Sequence, residues 1–274
     1  MTDKPDLYAV IGHPVSHSKS PDIHARFAAQ TRQNLVYERL LAPLDGFVAT
    51  VQAFIKRGGR GANVTVPFKL EAHALAHELT ARARAAGAVN TLKFIDGAIV
   101  GDNTDGVGLV ADIVKNAGVP MTGKRVLLLG AGGAARGVIL PFLSEGPAEL
   151  VIANRTQSKA VELAQQFASA HDNILAADFS SLRGTFDIIV NATSASIAAE
   201  VPAIPPSVFG DYAFAVDMMY GSEPTVFMQF AAQHGAAVRD GLGMLVEQAA
   251  ESFFLWRDIR PDTAPVFSEL RATR

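Results

Sequence analysis

The chain has 274 residues, enough for two domains with a core each, and its 49 % hydrophobic and 19 % charged residues are a globular rather than a disordered profile. A net charge of −3 without a basic cluster leaves no footprint for nucleic acid, and the absence of cysteine excludes disulfides, thiolate metal ligands and cysteine nucleophiles. No apolar run reaches the length of a membrane span and the start, MTDKPDLYAV, lacks the regions of a signal peptide, so a cytoplasmic protein is expected.

Tyr8–Ile11 reads as a strand ending at Gly12. Pro21 then suits the first position of a helix running to Gln30, with Ser20 as its N-cap. A second strand is expected over Tyr37–Leu41 and a helix over Leu44–Lys56. The turn Arg57–Gly61 leads into a third strand, Ala62–Val66, and Pro67-Phe68-Lys69 opens another helix. Val89–Phe94 and Ala98–Gly101 form a hairpin turned by Asp96-Gly97, a type I′ signal. Such strand–helix alternation is α/β. Thr104–Asn116 is expected to be the helix that joins the first unit to the second.

Val126–Leu129 is a short, wholly apolar run, as in a strand buried on both faces. It enters Gly130-Ala131-Gly132-Gly133-Ala134-Ala135, which fits G-x-G-x-x-A. After a strand, that spacing gives a tight turn, a backbone that phosphate can approach, and a closely packed helix whose N-terminus faces the anion. A plain glycine-rich loop is the bland alternative. The next strand, Leu150–Ala153, decides between them, because it is followed by Asn154, Arg155 and Thr156, with Lys159 beyond. An NAD site usually carries a carboxylate there, about 20 residues past the glycines. Two cations suit a 2′-phosphate instead, so the expected cofactor is NADP. A helix over Thr156–Ala170, strands over Asp187–Asn191, Phe214–Met218 and Ala236–Arg239, and a closing helix over Gly241–Trp256 complete the reading. There are no internal repeats.

A nicotinamide supplies hydride, so the protein must hold the substrate and provide a proton route. The candidates crowd the ends of strands in the first unit. Asn63 and Thr65 share a face because strand side chains alternate, Lys69 follows, and Asp102–Gly106 closes the hairpin. Each has a bland reading: Ser20, Thr104 and Asp105 as caps, Lys69 as a solvated helix residue. His73 and His77 are spaced i, i+4, but position 74 is alanine rather than the glutamate of H-E-x-x-H, so an ordinary helix surface and no metal are expected.

Taken together, GHPVSHSKSPDIH, NVTVPFK, AGAVNTL, GDNTDGVG, LLGAGGAARG, ANRTQSKA, VNATS, DMMYG and DGLGMLVEQAA occur in this order. That series resembles the shikimate dehydrogenase family over about residues 8–255. The resemblance implies NADP-dependent, reversible reduction of 3-dehydroshikimate to shikimate, within aromatic amino-acid biosynthesis. It implies two α/β domains with the active site in the cleft between them: a substrate domain over residues 1–105, completed by residues 242–274, and a Rossmann-like NADP-binding domain over 106–241. It implies that Ser18 and Ser20 bind the substrate carboxylate, that Asn63, Thr65, Asn90, Tyr220 and Gln248 surround the ring, and that Lys69 and Asp105 are the catalytic pair. On the cofactor side it implies Gly130, Ala131, Gly132, Gly133, Ala134, Asn154, Arg155, Thr156 and Lys159, with Met218 and Gly241 near the nicotinamide. Quinate/shikimate dehydrogenases share most of these motifs, and a NADP-binding sensor without catalysis is the rival from another class. The partner expected is a small-molecule substrate, with no nucleic acid or membrane, in a monomer or homodimer. One stretch departs from the family: after Asn191-Ala192-Thr193-Ser194, Ser196 and Ala199 stand where glycine is common.

Overall fold

The computed structural model describes residues 4–169, 171–193 and 195–273. It divides into two compact units, residues 1–108 with 245–274, and residues 109–244.

Unit 1 begins with β1 (Asp6–Gly12), α1 (Ser20–Thr31), β2 (Leu35–Leu41) and α2 (Phe47–Lys56). It continues through β3 (Gly59–Val64), α3 (Lys69–Leu75), β4 (Glu78–Leu79) and α4 (Ala81–Ala86) to β5 (Thr91–Ile95) and β6 (Ala98–Asp102). The sheet order is β2-β1-β3-β5-β6-β4. β1 runs parallel to both β2 and β3, whereas β5 is antiparallel to β3 and β6. Asp96 and Gly97 turn the β5–β6 hairpin with φ of 51° and 79°, the two positive values that a type I′ turn demands. One core cluster gathers Ala9, Ile11, Phe47, Phe54, Val64, Phe68 and Leu92.

Several element ends differ from expectation, for local reasons. The second helix starts at Phe47 rather than Leu44, because Pro43–Gly46 closes a turn through a Gly46 N–H to Pro43 carbonyl bond of 2.9 Å. Gly59 and Gly61, read as turn, lie in β3. A Cβ on Gly59 would stand 2.6 Å from the Phe54 ring, and one on Gly61 2.4 Å from Trp256 Nε1. Their bareness admits these aromatic rings rather than bending the chain. Thr65 lies one residue past β3, its N–H still bonded to the Ile11 carbonyl at 2.9 Å. β4 and α4 had no counterpart in the sequence reading.

The segment expected as one helix over Thr104–Asn116 is α5 (Asp105–Ala111) followed by a π-helical turn over Asp112–Asn116. Asp112, fully buried there, forms a two-pronged ion pair with Arg239 at 2.6 and 2.7 Å.

Unit 2 contains β7 (Arg125–Leu129), α6 (Gly133–Ser144), β8 (Glu149–Ala153), α7 (Gln157–Ala168) and β9 (Ile174–Ala177). It continues with β10 (Phe186–Asn191), β11 (Phe209–Asp217), α8 (Val226–Gln233) and β12 (Ala237–Arg239). Its sheet is parallel throughout, in the order β12-β11-β10-β7-β8-β9. This is the doubly wound arrangement, with its switch point between β7 and β10. Residues 126–129 and 188–190 are fully buried, which accounts for their unbroken apolar runs. β9 and α8 were not foreseen, and the expected end of α7 at Ala170 lies outside the described residues. Phe214–Met218 proves to be only the second half of β11, and Met218 lies just beyond it.

The chain closes with α9 (Leu242–Arg257), one residue displaced from the expected helix, and α10 (Ala264–Ala272), which was not expected. Among the described residues no helix is long and apolar enough to cross a membrane.

Candidate active site

In unit 1 the polar side chains gather where β3 and β6 end. Lys69, the first residue of α3, donates from Nζ to Asp105 Oδ2 at 2.5 Å. The pair is partly buried, with side-chain exposures of 32 % and 16 %. Asp105 Oδ1 accepts from Asn90 Nδ2 at 2.8 Å, and Asn90 Oδ1 accepts the Thr104 N–H at 2.8 Å. Asn90 therefore holds both the carboxylate and the backbone that carries it. Gln248, on α9, accepts at Oε1 from Asn90 Nδ2 and from Thr104 Oγ1, each at 3.4 Å. Gly108 makes room for that helix, since a Cβ there would stand 2.6 Å from the Gln248 backbone nitrogen.

Asn63 sits deeper, 6 % exposed, and its amide is spent inside the protein. Nδ2 donates to Ser252 Oγ at 2.9 Å and Thr91 Oγ1 at 3.1 Å, while Oδ1 accepts from the Tyr37 hydroxyl at 2.7 Å. The side chain thus braces β3 against β5 and α9 rather than standing open to a ligand. Thr91, Ser252 and Tyr37 were missed by the sequence reading, whereas Thr104 stood among its candidates with a helix cap as the bland reading. Ser252 had a legible signal, lying four residues after Gln248 and so on the same helical face. Tyr37 had none.

Ser18 and Ser20 flank the start of α1. The N-cap position is Lys19 and makes no side-chain capping bond. Ser20 lies inside the helix, so the expected Ser20 cap is corrected. Ser18 Oγ instead accepts the Ser20 N–H at 3.3 Å. Arg39 donates from Nη2 to the Ser18 carbonyl at 2.6 Å and so fixes that loop. Thr65 is half-buried, its methyl group against Gly12. Tyr220 is 36 % exposed in unit 2. His73 and His77 form no helical pair: α3 ends at Leu75, and His77 Nδ1 accepts the Ile99 N–H at 2.9 Å. Among the described residues no group of three or more His, Asp or Glu is placed to hold a metal ion.

Unit 2 has its own cavity, about 530 Å³, at the carboxyl ends of β7, β8 and β10. One wall is the glycine loop, residues 130–134, and another is Asn154, Arg155, Thr156 and Lys159. The nine cofactor residues expected in the glycine and cation motifs therefore line one pocket. Gly130 takes φ of 109°, a turn that side chains resist, and a Cβ on it would stand 3.2 Å from the Ala192 carbonyl. At Gly132 and Gly133 a Cβ would meet nothing within 4 Å. The backbone there borders open space, and the first amides of α6 lack intrahelical acceptors. This cradle fits a pyrophosphate. Arg155 and Lys159 are exposed on its rim, and their charges fit a 2′-phosphate. The third wall, from Ala192 to Pro202, brings in Glu200, a carboxylate that local spacing around β8 does not reveal. Met218 and Gly241 are not among the lining residues. They touch each other instead, a Cβ on Gly241 falling 2.2 Å from the Met218 carbonyl oxygen.

Residues 10–92 match the family described as the shikimate dehydrogenase substrate binding domain, residues 112–199 that of shikimate / quinate 5-dehydrogenase, and residues 241–266 the shikimate 5′-dehydrogenase C-terminal domain. The chain belongs to the shikimate dehydrogenase family. It is 68 % identical to a shikimate dehydrogenase (NADP(+)) of a Janthinobacterium strain over 99 % of both chains. An Ael1 enzyme of Pseudomonas putida superposes with a TM-score of 0.94 at 50 % identity, covering 97 % of this chain and 98 % of that one. The shikimate 5-dehydrogenase of Thermus thermophilus, solved with NADP(H) and shikimate, gives a TM-score of 0.87 at 32 % identity over 98 % and 100 %.

Proposed function

We propose that the chain catalyses the reversible, NADP-dependent reduction of 3-dehydroshikimate to shikimate, with unit 1 holding the substrate and unit 2 the cofactor. The Lys69–Asp105 ion pair, set among Asn90, Thr104 and Gln248, carries this reading. An idle sensor has no need to keep a partly buried lysine and carboxylate in register.

The bound cofactor supplies hydride to the substrate ketone. The protein must then stabilise the charge that develops on oxygen and deliver a proton there. Lys69 offers both, and Asp105 holds its ammonium in place. Ser18 and Ser20 receive the substrate carboxylate, and Thr65, Asn90 and Gln248 take the ring hydroxyls. Asn63 acts on this set by positioning, through Tyr37, Thr91 and Ser252. The cradle of residues 130–134 takes the pyrophosphate, while Asn154, Arg155, Thr156 and Lys159 take the 2′-phosphate side of the ribose. Met218 and Gly241 are assigned to the nicotinamide end. A cytoplasmic location and a monomer or homodimer complete the proposal, the latter open to light scattering.

Steady-state rates with shikimate and quinate, each against NADP and NAD, test it. The shikimate–NADP pair should have the highest kcat/KM by at least about tenfold, or about 1.4 kcal/mol. Comparable rates with quinate would assign the chain to the quinate/shikimate branch, and no cofactor reduction with any pair would leave the sensor.

A further inference from the structure

Ala192, Thr193, Ala195, Ala198, Glu200 and Pro202 form one wall of the unit 2 cavity, and Ser196 beside them is bonded through its hydroxyl, which a glycine would lack. Ser196 Oγ donates to Asp217 Oδ2 at 2.6 Å and accepts from Asn191 Nδ2 at 3.2 Å. Asn191 ends β10 and Asp217 ends β11, so one hydroxyl bridges two neighbouring strands beside the pocket. The same Asn191 accepts at Oδ1 from the Thr193 hydroxyl at 2.7 Å and the Thr193 N–H at 3.1 Å. Thr193 Oγ1 in turn accepts the Ala195 N–H at 3.3 Å.

Asp217 is fully buried, and its remaining bonds face the other way. Oδ2 also accepts from Thr225 Oγ1 at 2.6 Å, and Oδ1 accepts the Met219 N–H at 3.0 Å. Ser196 is therefore the link between two groups of polar contacts. On one side stand Ala192, Thr193, Ala195 and Ala198, which line the pocket together with the glycine loop. On the other stand Asp217 and the segment from Met218 to Thr225. A buried carboxylate with three donors is costly to leave short of one, so the bond is held firmly. The turn that Ser196 belongs to closes with a Glu200 N–H to Ala195 carbonyl bond of 2.9 Å. Ala199 is there held at φ of 54°, a conformation alanine does not choose unaided.

We propose that Ser196 is a positioning residue for the dinucleotide: its hydroxyl latches the 192–202 wall to Asp217 and so sets the width of the cofactor pocket. The proposal rests on reading this pocket as the NADP site. Without the latch, the wall must be ordered when the cofactor binds, and that ordering weakens affinity.

The test is calorimetric titration of the full-length protein with NADP, for the parent, Ser196→Ala, Ser196→Gly and Arg155→Ala, together with steady-state constants. Ser196→Ala and Ser196→Gly should each weaken NADP binding by about three- to tenfold, and Ser196→Thr should retain most of the affinity because it keeps the hydroxyl. Parental NADP affinity in both Ser196→Ala and Ser196→Gly, with Arg155→Ala weakened, would overturn the latch and leave the pocket assignment standing. So would a lower thermal midpoint with unchanged affinity, which marks a purely structural bond. Parental affinity in Arg155→Ala as well would overturn the pocket assignment itself.

Discussion

The imidazole of His24 lies flat on the phenol ring of Tyr37, centroids 4.3 Å apart and planes within 6°. Phe27, Phe253 and Trp256 enclose it further, and among the described residues neither ring nitrogen has a hydrogen-bond partner. Burial holds its pKa at about 3, against an ordinary 6.5. Below pH 6.5 the unfolded chain takes up a proton that the folded chain refuses. Stability is therefore full above pH 6.5 and is lost as pH falls towards 3, at about 1.4 kcal/mol per pH unit. His24→Phe keeps the stack and removes the titration. Between pH 7.5 and pH 5 the variant should lose about 2 kcal/mol less than the parent. Trp256, the single tryptophan, lies 5.3 Å from His24 and reports the unfolding by fluorescence in urea. Equal losses in the two proteins would mean that His24 takes up its proton while folded.

Ser18 and Ser20 differ in what else they do. Each removal leaves a carboxylate short of one charge-assisted hydrogen bond, worth about 1.5–3 kcal/mol. Both Ser18→Ala and Ser20→Ala should therefore raise the shikimate KM by roughly tenfold or more, with the NADP KM unchanged. The first amide of α1 is satisfied by Ser18, so the loss of a capping-type bond, about 0.5–1 kcal/mol, belongs to Ser18→Ala. Unchanged shikimate KM values in both variants would place the carboxylate elsewhere.

What the sequence disclosed follows from how local each signal is. The glycine loop, the β8 cations and the Asp96-Gly97 turn depend on residues within a few positions of one another, and the first two line one pocket while the third joins β5 to β6. In unit 2, β7, β8 and β10 were legible because burial leaves unbroken apolar runs, whereas the half-exposed β9 was not. Gly59 and Gly61 misled because their purpose is distant: they accommodate Phe54 and Trp256, the latter almost 200 residues on. Asn63 misled in the same way, since Tyr37 and Ser252 fill its bonding capacity from two other elements. Glu200 and the Ser196–Asp217 bond depend on strand order, which no local pattern encodes. The start of α1 slipped by one residue because Lys19, which makes no side-chain capping bond, holds the N-cap position expected for Ser20, while Ser18 accepts the Ser20 N–H.

Cofactor choice should rest on Arg155, exposed on the pocket rim beside Thr156. A planar guanidinium meets a phosphate through two bonds, which a ribose hydroxyl does not reward. Arg155→Ala should raise the NADP KM at least about tenfold, or about 1.4 kcal/mol, while NAD use changes little. Equal losses with both cofactors would make Arg155 a structural residue.

The central claim is that Lys69 and Asp105 act as one catalytic unit, and single-turnover or steady-state rates of their variants address it directly. The charge on the substrate oxygen is larger in the transition state than in the ketone, so the pair should govern turnover more than binding. Lys69→Met should lower kcat by roughly 10²–10⁴ with the shikimate KM moving much less. Asp105→Asn should do the same, and the double variant should be little worse than either single one, because the two groups share one task. A Lys69→Met enzyme with near-parental kcat, or a double variant whose losses multiply, would contradict the account.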